Sequence, residues 1–577
     1  MLRRLSMLPL LITLLIGTVA MGVAPVATTR AQGTSGDHVL RIEYNSYPET
    51  LDPPQINDSA QIAVGALAFE GLTRIDAELQ TVPGAAESWD FSPDGLTLTF
   101  HLREVLVYSD GSPLTAERFR FPIERVCDPR TASPWAQTFF DIAGCEAFFT
   151  SLDPEGDETE ATPADATENS VWTAARANLG VRALDERTLE LRLAKPAAYM
   201  PTALSLFVFW PVKQELIDAG GADWWRDLTN LVGNGPFRIE SLGNDTDVPS
   251  QMVFAANDRY WGGRPKVDRI EYVMANEDRT ATQRLEAYRQ GEIDIVWLAY
   301  EAFPLVEADP ELARDLLFAP RAATFHLAFT LTREPFQDPK VREAFAYGFD
   351  REAYCRVIQY SICTPALSWI PPGVPGHIET DAYAFDPQKA RQALADSSYG
   401  GPEGLPEITW YYWGDGAEGI ASREGGEWLA AQYRAVLGIE IRLVEVTDDE
   451  WTALHENPET RPQFGEWAWF QDYPDPQNWL STYWMCDATV NGIEGGYCNP
   501  ELDALLAQAD AELDPETRLA LYEEAGHMLV ADVPTIFLYH RTNAVLVKPF
   551  VTDYVATAVD FWPGQQSLLT IDVERPE

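Results

Sequence analysis

The chemistry most legible in this chain is a carboxylate placed at the end of an aromatic run, Trp467-Ala468-Trp469-Phe470-Gln471-Asp472-Tyr473-Pro474-Asp475-Pro476. Phe464, Trp467, Trp469 and Phe470 predict a buried strand, and Pro474 and Pro476 end it because proline cannot donate to a strand ladder. Asp472 falls where that strand runs out. A carboxylate among aromatic rings needs a partner, or its pKa rises and it neutralises. That partner is either internal, an arginine or a backbone N–H, or the ammonium group of a ligand. Other chemistry is scarce. The sequence holds no G-x-S-x-G elbow, no Walker loop and no H-E-x-x-H, and its seven His are scattered singly. No C-x-x-C occurs and no His lies within a few residues of a Cys, so neither zinc nor any other metal or cofactor is expected. The motif silence favours a binding protein over an enzyme.

Composition narrows the partners. A formal net charge of −47 excludes a binder of phosphate backbones and argues against docking on anionic lipid. The charge reads as solubility. At 577 residues the chain exceeds one ordinary core, and roughly three or four domains are expected. Arg3 and Arg4 followed by the apolar run Leu5–Ala24 and the small-residue site Thr29-Arg30-Ala31 predict an export signal over residues 1–31. The run approaches transmembrane length, so an uncleaved anchor stays open. No Cys lies near it to carry a lipid anchor. The six Cys, all beyond the signal, suit an exported chain with three disulfides. Of the fifteen possible pairings, the three close sequence pairs suggest Cys127–Cys145, Cys355–Cys363 and Cys486–Cys498.

The elements that must position Asp472 alternate between strand and helix. His38–Leu51 alternates as a strand and Ile62–Leu72 has helical spacing. Phe91-Ser92-Pro93-Asp94-Gly95 is a hairpin turn feeding a strand over Leu96–Arg103, and Thr115 is the expected N-cap of the helix that follows. Residues 151–169, acidic and rich in Thr and Pro, read as a solvated insertion. Gly180–Leu193 reads as a hairpin, Gly233–Phe237 as a turn and Val267–Val273 as a strand. Helices are expected at Thr280–Arg289, Lys340–Phe349, Pro387–Ala395, Glu427–Leu437, Glu501–Ala511 and Pro515–Val530. Strands Ile408–Trp413 and Ile439–Val446 flank one of them, giving an α/β fold with mixed sheets.

Taken in order, several segments resemble the solute-binding proteins of ATP-driven importers, in the oligopeptide/dipeptide-binding family (family 5). They are Phe69-Glu70-Gly71-Leu72, Tyr108-Ser109-Asp110-Gly111-Ser112-Pro113, Asp128-Pro129-Arg130-Thr131-Ala132-Ser133-Pro134-Trp135, Pro335-Phe336-Gln337-Asp338-Pro339, Asp472-Tyr473-Pro474-Asp475-Pro476 and Asn499-Pro500-Glu501-Leu502-Asp503. The resemblance spans roughly residues 38–577. It implies a two-lobed Venus-flytrap fold with an extra domain inserted in the first lobe. Lobe I would comprise residues 37–69, 212–323 and 541–577, the extra domain 70–211, and lobe II 324–540. It further implies that Asp472 holds a peptide's α-ammonium. Asn57, Asp58 and Ser59, with the strand Trp467–Phe470, would pair with the peptide backbone as with an added strand. Trp135, Trp469 and Tyr473 would belong to the same ligand site, with Trp135 and Trp469 lining roomy side-chain pockets. The implied partners are a peptide and the permease subunits of an ABC transporter, the implied state an extracytoplasmic monomer. One departure stands out: enteric oligopeptide binders of this family carry Arg where this chain has Glu466, which puts carboxylate recognition there in doubt. Alternatives are an oligosaccharide or metal-chelate receptor of the same fold and, remotely, a secreted hydrolase.

Overall fold

Two long strands, Leu316–Phe329 and Thr535–Val547, tie the molecule together. The computed structural model describes residues 38–44, 46–152, 170–243, 251–274, 280–299, 302–414, 419–457, 459–558, 560 and 567–575. The expected export signal and residues 153–169 of the acidic insertion lie outside them. Among the described residues these strands belong to a nine-stranded sheet. Its order is Phe464–Phe470, Leu316–Phe329, Thr535–Val547, Ile295–Trp297, Val39–Tyr44, Arg269–Met274, Gln251–Ala256 and Phe237–Ser241, with Cys363–Pro365 off that path against Thr535–Val547. Val39–Tyr44 runs parallel to both its neighbours and the other pairs are antiparallel, so the sheet is mixed.

The long strands change company along their length. Residues 316–320 pair with 542–546, whereas 324–328 pair with 535–540. The register shifts between these runs, at Pro320/Thr324, and again within the second, at Phe325/His326. Extra residues in one strand bend it and re-aim its side chains. Apolar packing divides in the same way. Leu40, Ile42, Phe254, Ile270 and Val545 belong to one core. Leu327, Phe345, Trp410, Tyr433 and Phe464 form a second, and Trp369, Trp479, Tyr483 and Leu529 a third. A separate four-stranded sheet, in the order Ala86–Phe91, Thr97–Leu102, Thr188–Arg192 and Val181–Ala183, shares the first core through Leu98, Phe100, Leu189 and Leu191. Its first hairpin closes at Gly95, whose φ of +69° is the left-handed conformation that glycine adopts without penalty.

Two sequence expectations are corrected. The helix expected at Ile62–Leu72 runs instead over Ser59–Ala68. Its start moves to the cap at Asp58, and its end is cut short by long-range packing. Gly235 N donates to Ala68 O at 2.8 Å, and a Cβ on Gly233 would lie 1.8 Å from that same oxygen. The Asn234 amide bonds both the N–H and the C=O of Glu70, at 3.0 and 2.9 Å. The turn at 233–237 is thus a clamp on the helix end. Second, the aromatic strand Phe464–Phe470 is not buried throughout. Among the described residues it is the terminal strand of the sheet, with Phe464 and Gly465 buried and Phe470 39% exposed. The three neighbouring cysteine pairs are bonded, with Cα separations of 5.1 Å for Cys127–Cys145, 5.6 Å for Cys355–Cys363 and 4.5 Å for Cys486–Cys498. Among the described residues no helix is long and apolar enough to cross a membrane.

Candidate ligand cavity

Where the long strands shift register, the fold encloses a cavity of about 670 Å³. One wall begins at the loop before helix Ser59–Ala68. Asp58 caps that helix, its Oδ1 accepting from Ala60 N at 2.7 Å and Gln61 N at 3.3 Å. The loop is pinned by Arg125, Ser133 and Trp135. Ser133 Oγ donates to Pro54 O and Trp135 Nε1 to Ile56 O, both at 2.7 Å, while Arg125 forks onto Asp52 at 2.6 and 2.8 Å. These bonds hold Asn57, Asp58 and Ser59 exposed at the cavity and fix the half-buried Trp135 beside them.

The opposite wall comes from the aromatic strand. Its ladder sets Ala323 against Phe470 and continues one step through Gln471 N donating to Ala322 O at 3.0 Å. Asp472 then leaves the ladder and meets Asn478. Asp472 N donates to Asn478 Oδ1 at 3.0 Å, and Asn478 Nδ2 donates to Asp472 Oδ2 at 2.8 Å. Among the described residues no cation lies within ion-pair distance of this carboxylate. The residue lines this cavity and a smaller one of about 160 Å³. Burial raises its pKa to about 6, opposed only by the Asn478 hydrogen bond.

Of the nine binding residues expected from sequence, six line the cavity: Asn57, Asp58, Ser59, Trp135, Phe470 and Asp472. Trp467, Trp469 and Tyr473 do not. Strand alternation turns Trp467 and Trp469 to the face away from Phe470, where Trp467 packs on His455 (5.5 Å) and Trp469 on Tyr483 (5.3 Å). Tyr473 is buried against Tyr199, and its hydroxyl donates to Gln477 Oε1 at 2.5 Å. Sequence reasoning missed Arg321, Arg541 and the Glu43–Arg284 ion pair (3.2 Å), all in the same cavity. The available signal was an arginine interrupting an apolar run, as in Phe318-Ala319-Pro320-Arg321-Ala322-Ala323.

The sequence model of the bacterial extracellular solute-binding proteins, family 5 Middle, matches residues 80–491. The chain is 30% identical over 527 residues to the probable deoxycholate-binding periplasmic protein YgiS of Escherichia coli (strain K12), covering 89% of this chain and 90% of that one. It is 27% identical over 554 residues to the periplasmic oligopeptide-binding protein OppA of Salmonella typhimurium, covering 94% of each. Among solved structures, the unliganded open form of the periplasmic murein tripeptide binding protein MppA superposes with a TM-score of 0.75 at 24% identity, over 93% of this chain and 98% of that one. That likeness gives the fold, the two-lobed arrangement of periplasmic binding proteins.

Proposed function

We propose a receptor function for this chain, which belongs to the bacterial extracellular solute-binding proteins of family 5: it captures peptides in the 670 Å³ cavity and delivers them to the permease of an ABC importer. The observation that carries the reading is Asp472. A carboxylate held by one amide, lifted towards neutrality by burial and open to a cavity, is completed by a ligand ammonium. The terminal strand Phe464–Phe470 supports it, since an edge strand offers main-chain donors and acceptors to an added strand. Two relatives' names support it, one called oligopeptide-binding and another dipeptide-binding, while a third is called probable deoxycholate-binding. In this reading the chain is exported by residues 1–31, acts outside the cytoplasm as a monomer and carries no catalysis. Asn57, Asp58, Ser59, Trp135, Phe470 and Asp472 contact the ligand.

The lobes we assign are 37–69, 212–323 and 541–577 against 324–540, with 70–211 as the extra domain. The ladder shift between Pro320 and Thr324, opposite Arg541, supports a hinge at those boundaries. Mass spectrometry of species released on denaturation tests the ligand class; peptides are expected, and sugars alone would sink the proposal. Small-angle scattering tests the hinge: saturating peptide should shrink the radius of gyration, and an unchanged radius counts against closure.

A further inference from the structure

The partner that orients Asp472 is itself held by residues outside the cavity. Asn478 is fully buried and belongs to Pro476–Trp479, a single helical turn of four residues. A helix that short does not hold itself in water, so its place is set by what ties it down. The tie at its start is Asp475. Asp475 Oδ1 accepts from Gln477 N at 2.9 Å, and Asp475 O accepts from Asn478 N at 3.0 Å. The same carboxylate is forked by Arg518, with Nη1 donating to Oδ2 at 2.9 Å and Nη2 to Oδ1 at 2.6 Å. Both side chains are buried, 13% and 9% exposed, so salt and water screen the pair little.

Arg518 is fixed in turn. It stands near the start of the helix Pro515–Asp532, and its Nη2 also donates to the Tyr522 hydroxyl at 3.2 Å. The hydroxyls of Tyr522 and Ser481 both donate to Asp510 Oδ1, at 2.5 and 2.7 Å. The turn that carries Asn478 is thereby anchored on both sides, at Asp475 before it and at Ser481 after it. Asp475, Asn478 and Arg518 line neither cavity that Asp472 borders. A buried ion pair adds little net stability, because desolvation offsets the attraction. What it fixes is geometry, and here the geometry passes through Asp475 to Asn478 and so to the Asp472 carboxylate.

We propose that Arg518 is a positioning residue of the ligand site, holding the Asp472 carboxylate, through Asp475 and Asn478, in the orientation that receives an ammonium group. The inference rests on the peptide reading above. The test uses the full chain carrying Asp475→Asn/Arg518→Met, which keeps an N-capping side chain and leaves no buried charge unpaired. Hydrogen exchange of the ligand-free variant should speed up at residues 471–480 while the strand Phe464–Phe470 stays protected. Native mass spectrometry then compares a mixed tripeptide library bearing free N-termini with the same library N-acetylated. The preference for the free library should fall roughly three- to tenfold in the variant, because binding must now order the carboxylate. Arg518→Lys keeps the charge without the fork. It should show both effects at smaller size, and it decides the matter if the double variant does not fold. Unchanged exchange at 471–480 overturns the proposal, and so does faster exchange there with the preference intact. Exchange that speeds up evenly along the chain, with both libraries weakened alike, reduces the pair to a stabilising contact and overturns it too. If neither library binds the wild type, the peptide reading fails and exchange alone decides: local acceleration at 471–480 upholds the positioning of Asp472, and its absence overturns it.

Discussion

Two cavities of this protein differ in a way that size does not report. The larger, about 820 Å³, is lined by Asp52, Glu124, Arg125, Asp128, Arg130 and Arg176. Its charges close on one another: Arg125 on Asp52 at 2.6 Å, Arg130 on Asp128 at 2.5 Å and Arg176 on Glu124 at 2.5 Å. The smaller, about 670 Å³, holds Asp472 against a neutral amide and is lined also by Arg321 of Leu316–Phe329 and Arg541 of Thr535–Val547. Buried charge is costly until it is paired. In the larger cavity folding has already supplied the pairs. In the smaller one the Asp472 carboxylate meets a neutral amide and no cation within ion-pair distance among the described residues, which is the physical signature of a receptive site.

The largest expected effect breaks the receptive side of this contrast. Removing one member of a buried, hydrogen-bonded charge pair costs roughly 3–5 kcal/mol, or about two to four decades in affinity. Asp472→Ala should lose that much for a free peptide, and N-acetylation should cost the wild type a similar amount. In Asp472→Ala the acetylated and free peptides should bind almost equally, because the interaction is already gone. Isothermal titration of both peptides against both proteins closes the cycle. Additive losses would return Asp472 to the structural class.

The converse change belongs in the larger cavity. Glu124 is buried and serves both Arg120 and Arg176. Glu124→Ala should therefore destabilise the fold by about 3 kcal/mol. Urea unfolding would show a lower midpoint at constant slope, and peptide affinity should stay within about twofold of wild type. A loss of affinity without a loss of stability would mean that the larger cavity binds ligand.

Why one half of the site was legible in the sequence and the other was not follows from how each half is built. Asp472, Phe470, Trp135 and Asn57-Asp58-Ser59 sit in local signals: an aromatic strand stopped by prolines, a helix cap, a quoted family segment. Period-2 alternation along the same strand is equally legible, and it separates Phe470 from Trp467 and Trp469. Arg321 and Arg541 had no such signal, because their convergence depends on pairing between strands more than 200 residues apart and on a shift in that ladder. The early stop of helix Ser59–Ala68 was hidden for the same reason, since Gly233 and Gly235 arrive from far along the chain. Short-range pattern gave most elements; long-range packing decided where they end and what they face.

Glu466 sharpens the contrast from within the binding strand. Its Oε1 is buried without a hydrogen-bond partner, and burial lifts its pKa to about 8, opposed by the Ala421 backbone N–H. The folded-state value lies above the ordinary carboxylate range. The stability it contributes is therefore fully present below about pH 4.5 and is lost as pH rises towards 8. Glutamine mimics the neutral form without that loss. Glu466→Gln should thus stabilise the protein at pH 7 by roughly 2 kcal/mol, with a gain that grows between pH 5 and 8. Urea midpoints across that range are the check. A variant less stable than wild type at pH 7 would mean that Glu466 is ionised and paired.

The smallest effect returns to Asp472 and needs no variant to appear. In the free protein its carboxyl titrates at about 6, above the ordinary value, because burial disfavours the anion. A bound ammonium holds it ionised, so binding below pH 6 must first remove a proton. Affinity should therefore rise with pH and level off above about 6.5, being about tenfold weaker at pH 5 than at pH 7. The peptide's α-amino group, with an ordinary pKa near 8, stays charged throughout that window. Four other carboxyls are lifted by burial, Asp510 to about 6, Glu466 to about 8, and Glu70 and Asp294, neither of which lines the cavity. Asp510, however, is engaged by Ser481 and Tyr522 and does not line the cavity. Asp472→Asn assigns the dependence: its weaker binding should be flat from pH 5 to 7. A wild type that is equally flat would mean that Asp472 is already ionised when the cavity is empty, and that an internal cation, not a ligand, completes it.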